Sequence, residues 1–195
     1  YHEHLSYFSL TPLKFLFAKF GIKIINFEKV NLGASGPAIR LFLSKKNSIY
    51  STNKKVNEQI IYEKNWGIKK IKKYNFFKKN VKSKILKLRK IIYLKYYQNY
   101  KLGCFTASSK GNTLLNCLNL KKNVIKFVSE NNLKKIGKFT PGSHIQIISD
   151  KNFLKKKIDY AILLSWNYKK FFLTKSLYSK KGGKFIIPLP TPHIK

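Results

Sequence analysis

The first four residues, Tyr1-His2-Glu3-His4, hold two of the chain's four histidines and one of its seven carboxylates. In a chain so poor in these types, composition alone does not produce such a cluster. Histidine is the natural base near neutral pH, and a neighbouring Glu can orient it or raise its basicity. Tyr1 adds a hydroxyl donor. Metal binding by His2 and His4 would need more ligands than the chain offers nearby. The competing reading is an ordinary exposed terminus.

A second group, Thr106-Ala107-Ser108-Ser109-Lys110-Gly111-Asn112-Thr113, is expected at a strand-to-helix junction. Free backbone N–H groups and the helix dipole favour an anion there, and Lys110 with the hydroxyls can add contacts. It is not a P-loop, because the Gly-Lys-Ser/Thr ending is absent. Taken alone it is also a common kind of surface turn. A third group comprises Phe139–His144, Ser165-Trp166-Asn167 and Pro188–Pro192. These read as a turn placing His144, a polar end to a buried strand, and an extended tail. Together they suggest a crevice lined at the strand ends, where open α/β sheets take ligands.

The elements that must carry these residues follow from periodicity and turn chemistry. Ser9 and Pro12 start a helix that Gly21 stops. Strands are expected at 22–30 and 38–43, with a turn cluster at 33–37. Residues 49–100 carry lysine pairs between Ile, Val and Leu at helical spacing, which predicts one or two long helices joining two lobes. From 101 onward strands are expected at 101–105, 124–128, 159–165 and 184–188. Helices are expected from about 112 and over 168–179. Alternating strands and helices imply a parallel sheet with right-handed crossovers. The domain reading is therefore 1–48, 49–100 and 101–195.

The composition narrows the function. Hydrophobic residues make up 44% of the 195 and aromatics 15%, enough for a packed core. No apolar run reaches the roughly 18 residues of a membrane span, and no secretory signal opens the chain. Cys104 and Cys117 make neither a disulfide framework nor a zinc site, so a reducing, cytoplasmic setting is expected. The net charge of +34 invites a nucleic-acid reading, but of 41 basic residues only Arg40 and Arg89 are arginine. Nucleic-acid surfaces favour Arg, whose fork grips phosphate and guanine. Richness in Lys, Ile, Asn, Tyr and Phe with little Ala points instead to an A/T-biased coding sequence. With no Met anywhere and a working motif at residue 1, an upstream part of the protein is expected.

Five ordered segments carry a family resemblance: Tyr1–Leu10, Lys110–Asn116, Phe139–Ile145, Trp166-Asn167 and Gly182–Pro190. The chain resembles the C-terminal portion of the S-adenosylmethionine-dependent deoxysugar C-methyltransferases, which methylate a nucleotide-linked keto sugar on carbon. The resemblance spans almost everything except 49–100. It implies an α/β fold: a Rossmann-like parallel sheet in the C-terminal lobe, preceded by the final helix and β-hairpin of a class I methyltransferase domain and a helical connector. It further implies His4 as the catalytic base with Glu3 and Tyr1 beside it. Lys110, Asn112, Thr113, His144 and Asn167 become substrate-binding candidates. No metal site is expected in this chain; zinc belongs to an N-terminal domain upstream, as does the main S-adenosylmethionine motif. The piece alone is expected to be inactive. Thr106-Ala107-Ser108-Ser109 stands where the family usually has Gly-Ala-Pro-Ala. The readings weighed against this are a non-catalytic basic nucleic-acid-binding protein and a sugar-nucleotide-binding lobe without catalysis.

Overall fold

The structure is a computed structural model that describes residues 5–31, 37–121 and 123–195. It divides into two compact units, residues 5–77 and 78–195, with the division inside one long helix.

In the first unit, α1 (Leu10–Ala18) leads to an antiparallel pair, β1 (Ile22–Asn31) and β2 (Pro37–Lys45). Gly21 makes the turn between helix and strand at a φ of 66°, a region that glycine enters without penalty. The pairing runs from Ile22↔Lys45 to Asn31↔Pro37, with an irregularity between Ile24 and Asn26. Next, α2 (Lys54–Trp66) starts at Asn53, whose side chain accepts from the Lys55 N–H, and stops at a left-handed Gly67. A small core joins Leu10, Ile24, Phe27 and Val56. The long helix α3 (Ile71–Tyr97) follows.

The second unit is built on β3 (Leu102–Phe105), β4 (Val128–Glu130), β5 (Ile147–Ser149), β6 (Tyr160–Leu163), β7 (Lys184–Ile187) and β8 (His193–Ile194). The order across the sheet is β5-β4-β3-β6-β7-β8. All neighbours are parallel except β7 and β8. In this order the chain moves one way from β3 to β5 and then returns to the other side of β3. The reversal between β3 and β6 is the switch point of a doubly wound, Rossmann-like sheet.

Both faces of this sheet are covered, so its central strands read as unbroken apolar runs. Leu102, Cys104, Val128, Ile162 and Ile186 turn to one face. There they meet Leu88 and Ile92 of α3 and Leu114, Leu115 and Leu118 of α4 (Ser109–Leu118). Phe105, Ala161, Leu163, Phe185 and Ile187 turn to the other. Their partners are Phe153 of α5 (Asp150–Lys155), Phe172 of α6 (Lys169–Lys175) and Tyr178 of α7 (Leu177–Lys180).

The expected Rossmann-like architecture is present, with local differences. The second strand lies at 128–130 rather than 124–128. Val124 and Ile125 are buried, but they sit in the turn beneath α4, and hydrogen-bonding to the β3 edge begins only at Lys126, whose N–H donates to the Leu102 carbonyl. β5 and α5 were not anticipated. The helix expected over 168–179 is a 3₁₀ turn at Trp166–Tyr168 followed by α6 and α7, separated at the extended Ser176. Pro188–Pro192 is not a tail: it turns the chain so that β8 pairs with β7.

Candidate functional site

The Tyr1, His2, Glu3 and His4 motif lies outside the described residues. What the structure describes is the helix that follows it and the ligand-facing edge of the C-terminal sheet.

At the switch point, the chain leaving β3 runs Thr106-Ala107-Ser108 into α4. Ser108 caps the helix, accepting from the Gly111 N–H at 3.1 Å while its own hydroxyl donates to the Leu164 carbonyl at 3.1 Å. One hydroxyl thus ties the start of α4 to the end of β6. Gly111 is required here, since a Cβ at that position would lie 2.4 Å from the Leu164 Cβ. Thr106 occupies the left-handed region at a φ of 66°, costly for a β-branched residue. Its hydroxyl is hydrogen-bonded to that of Ser165, which leaves β6 opposite. Thr106 is the one residue of the turn whose backbone calls for glycine.

Lys110, Asn112 and Thr113 are brought together on the first turns of α4, and Asn167 lies across the switch point beyond Ser165. The Asn112 Oδ1 is buried and finds no hydrogen-bond partner among the described residues. Thr113 donates back to the Ser109 carbonyl at 3.4 Å and is exposed. His144 is not part of this group. It sits, exposed, in a cleft of about 550 Å³ with Asn116, Asn119, Ile125, Lys126 and Gln146. Residues 125–126 and 146 precede β4 and β5, so this cleft is at the opposite, amino-terminal edge of the sheet.

The Phe139–Ile145 motif is a folded turn that stands where a doubly wound fold usually has a crossover helix. Buried Thr140 is its hub: its hydroxyl accepts from the Ile145 N–H at 2.9 Å and pairs with Ser143 at 2.7 Å. Gly142, at a φ of 79°, lies against Asn116, whose amide donates to the Pro141 carbonyl at 3.0 Å. The Gly182-Gly183 motif is structural as well, because a Cβ on Gly183 would lie 2.4 Å from the Tyr178 ring.

Glu130, at the end of β4, escaped the sequence reading because that strand was placed four residues too early. The available signal was an acidic residue about 20 positions beyond a strand-to-helix turn, the spacing of a ribose-binding carboxylate in dinucleotide folds. Here the carboxylate is engaged within the chain. Oε2 accepts from the Ala107 N–H at 3.1 Å and pairs with Lys135 at 3.5 Å, while Oε1 accepts from Asn131 and Asn132. Lys135 also donates to the Ala107 carbonyl at 2.7 Å. With Thr106 at the tight turn and Glu130 latched onto it, these residues do not fit a nucleoside cofactor held in the Rossmann manner.

Both arginines serve the fold. Arg40 pairs with Glu28 across the hairpin at 3.4 Å, and Arg89 donates to the Leu118 and Asn119 carbonyls at the end of α4. Among the described residues no three His, Cys, Asp or Glu side chains gather as metal ligands, and no helix is long and apolar enough to cross a membrane.

The strand order, with its switch point between β3 and β6, defines a Rossmann-like α/β lobe. Residues 33–190 match the C-methyltransferase C-terminal domain, and the chain belongs to that family. The match runs through the helical residues 49–100. The C-methyltransferase NovU of Streptomyces niveus is 28% identical over 195 residues, covering 100% of this chain and 46% of the relative. The chain thus spans about half the length of the curated relative it matches.

Proposed function

We propose that the chain is the C-terminal part of an S-adenosylmethionine-dependent enzyme that methylates a carbon of a nucleotide-linked keto sugar. The observation that carries this reading is the Tyr1-His2-Glu3-His4 run on the N-terminal side of a C-methyltransferase C-terminal domain match over residues 33–190. Carbon is a poor nucleophile until a proton beside a carbonyl is removed. His4 takes that proton, leaving an enolate on the sugar. Tyr1 donates to the enolate oxygen as charge develops there, and Glu3 orients its histidine neighbours. S-adenosylmethionine, held by residues upstream, would supply the methyl group, its methyl–sulfur bond breaking as the new carbon–carbon bond forms and S-adenosylhomocysteine leaves. Asn112 at the start of α4 offers a buried acceptor for a substrate hydroxyl. The zinc-binding domain and the cytoplasmic setting belong to the same proposal.

The test is methyl transfer by the full-length protein from labelled S-adenosylmethionine to a panel of nucleotide-linked keto sugars. A positioned general base contributes about a hundred- to ten-thousand-fold, so His4→Asn should abolish turnover and leave cofactor binding intact. Wild-type turnover in His4→Asn, with loss in His2→Asn, would move the base to His2. Full activity in both would place the base outside this chain.

A further inference from the structure

Helix α3 is 27 residues long, and one apolar stripe follows it: Tyr74, Phe77, Val81, Ile85, Leu88 and Ile92 recur at steps of three and four. The two ends of the stripe have different fates. At its carboxyl-terminal end, Leu88 and Ile92 are buried in the core of the sheet and Ile85 packs beside them. At its amino-terminal end, every residue from Ile71 to Ser83 is exposed. The stripe residues there keep 43% (Tyr74), 63% (Phe77) and 41% (Val81) of their surface open. Tyr74 touches the edge of the Trp66 ring and donates to the Ile68 carbonyl. An apolar stripe about 20 Å long is thus left facing outward.

The residues beside the stripe point to its partner. At helical spacing Lys73 borders it on one side and Lys78 and Lys82 on the other, with Lys72 and Lys79 behind. The whole helix holds ten basic residues and no acidic one. No lysine of Ile71–Ser83 pairs with a carboxylate among the described residues. An A/T coding bias explains lysine in place of arginine, but it does not remove Asp and Glu, whose codons are themselves rich in A and T. A second copy of this chain would set like charge against like charge. Nucleic acid would use the lysines and stack on the rings, yet it offers Val81 no apolar medium. An anionic bilayer satisfies both halves of the pattern: the stripe enters the acyl boundary, and the lysine stems reach back to the headgroups. We propose that Ile71–Ser83 is a peripheral membrane-binding helix for anionic lipid. It lies in the interface and does not span, being shorter than the roughly 20 residues a span requires.

The experiment is co-sedimentation of the full-length protein with vesicles of phosphatidylcholine alone, and of equal parts phosphatidylcholine and phosphatidylglycerol. The anionic vesicles should bind it, the neutral ones should not, and salt should weaken the binding. Phe77→Ser should lower the partition coefficient about tenfold or more, and Lys78→Glu with Lys82→Glu about a hundredfold or more. Leu133→Ser, at another exposed apolar residue, should leave binding unchanged, and Lys169→Glu with Lys170→Glu should cost far less than the α3 pair. Equal losses from the two lysine pairs would mean that net charge alone drives binding, and would overturn the proposal. Unchanged binding in Phe77→Ser would overturn it too. A fall of several degrees in the Tm of Phe77→Ser without vesicles would assign the stripe to a contact inside the intact protein. Single-stranded RNA binding lost in the same variants, with no vesicle binding, would assign it to nucleic acid. Either result overturns the proposal.

Discussion

The two units hold themselves together by different means. Residues 78–195 follow the ordinary logic of a doubly wound sheet: two apolar faces, helices on each, and large side chains such as Phe153 and Phe185 fully buried. Residues 5–77 have four buried apolar residues at their core and a buried carboxylate that fastens one helix to another. The first arrangement is held by burial of area, which is non-directional and shared among many residues. The second adds to its small core one directional contact between two helices, Glu63 of α2 accepting from the Leu10 and Thr11 N–H groups at the start of α1. A unit of the first kind tolerates surface change and resists core change; a unit of the second kind can be altered at a single polar residue.

The sharpest test of that contrast is truncation in the sheet. Phe185→Ala removes a ring packed against Phe105 and Tyr178 and should cost about 3–5 kcal/mol. Chemical denaturation followed by far-UV circular dichroism measures it. A cost under 1 kcal/mol would mean that this core is loosely packed.

Glu63→Gln should cost less, about 1–3 kcal/mol, by weakening a charged cap at two N–H groups. Its signature is the pH dependence. Because the folded carboxyl lies below its usual value, its stabilisation is fully present above the unfolded pKa and is lost as pH falls through the folded one. Hydrogen exchange in α1 should therefore accelerate in the wild type as pH drops below about 4.5, after correction for intrinsic exchange. The glutamine variant should lack that step. An identical profile in both would remove Glu63 from the account.

Overpacking probes the sheet from the other direction. Gly183→Ala places a methyl group against the Tyr178 ring and should cost about 1–3 kcal/mol. Gly137→Ala meets no atom within 4 Å, so it should lose only what its positive φ demands, about 1 kcal/mol. A larger loss at Gly137 than at Gly183 would contradict the packing described.

The smallest expected effect is at the switch point. Thr106→Gly relieves a left-handed Thr worth about 1–2 kcal/mol but gives up the hydrogen bond to Ser165, worth about 1 kcal/mol. The net change in Tm should stay within a few degrees and lean towards stabilisation. Ser165→Ala, which keeps the strain and loses the bond, should destabilise. If both variants destabilise equally, the strain at Thr106 is negligible.

The sequence by itself carried a good deal. Gly21 stops the first helix where turn chemistry says it should, and the β1–β2 hairpin and the helices over 49–100 fall close to their expected places. In the second unit the runs ending at Phe105, Leu163 and Ile187 were legible because a strand buried on both faces must be continuously apolar. The α4 junction and the family were legible too, the last from five ordered motifs.

What only the tertiary structure decided concerns partners distant along the chain. Val124 and Ile125 look like a strand because they are buried, but a strand is defined by the neighbour it pairs with, and β3 begins that pairing at Lys126. Ile147–Ser149 is too short to show a period, and becomes β5 only because β4 lies beside it. His144 looked like a companion of Lys110 until the sheet placed the two at opposite edges. Glu130 and Glu63 carried no local signal of what they grip, since Ala107 lies 23 residues from one and Leu10 53 residues from the other. Periodicity and turn chemistry report a residue's burial and its immediate backbone. Which N–H group a buried carboxylate satisfies depends on where the folded chain brings a distant helix end, and that is fixed only when the whole unit packs.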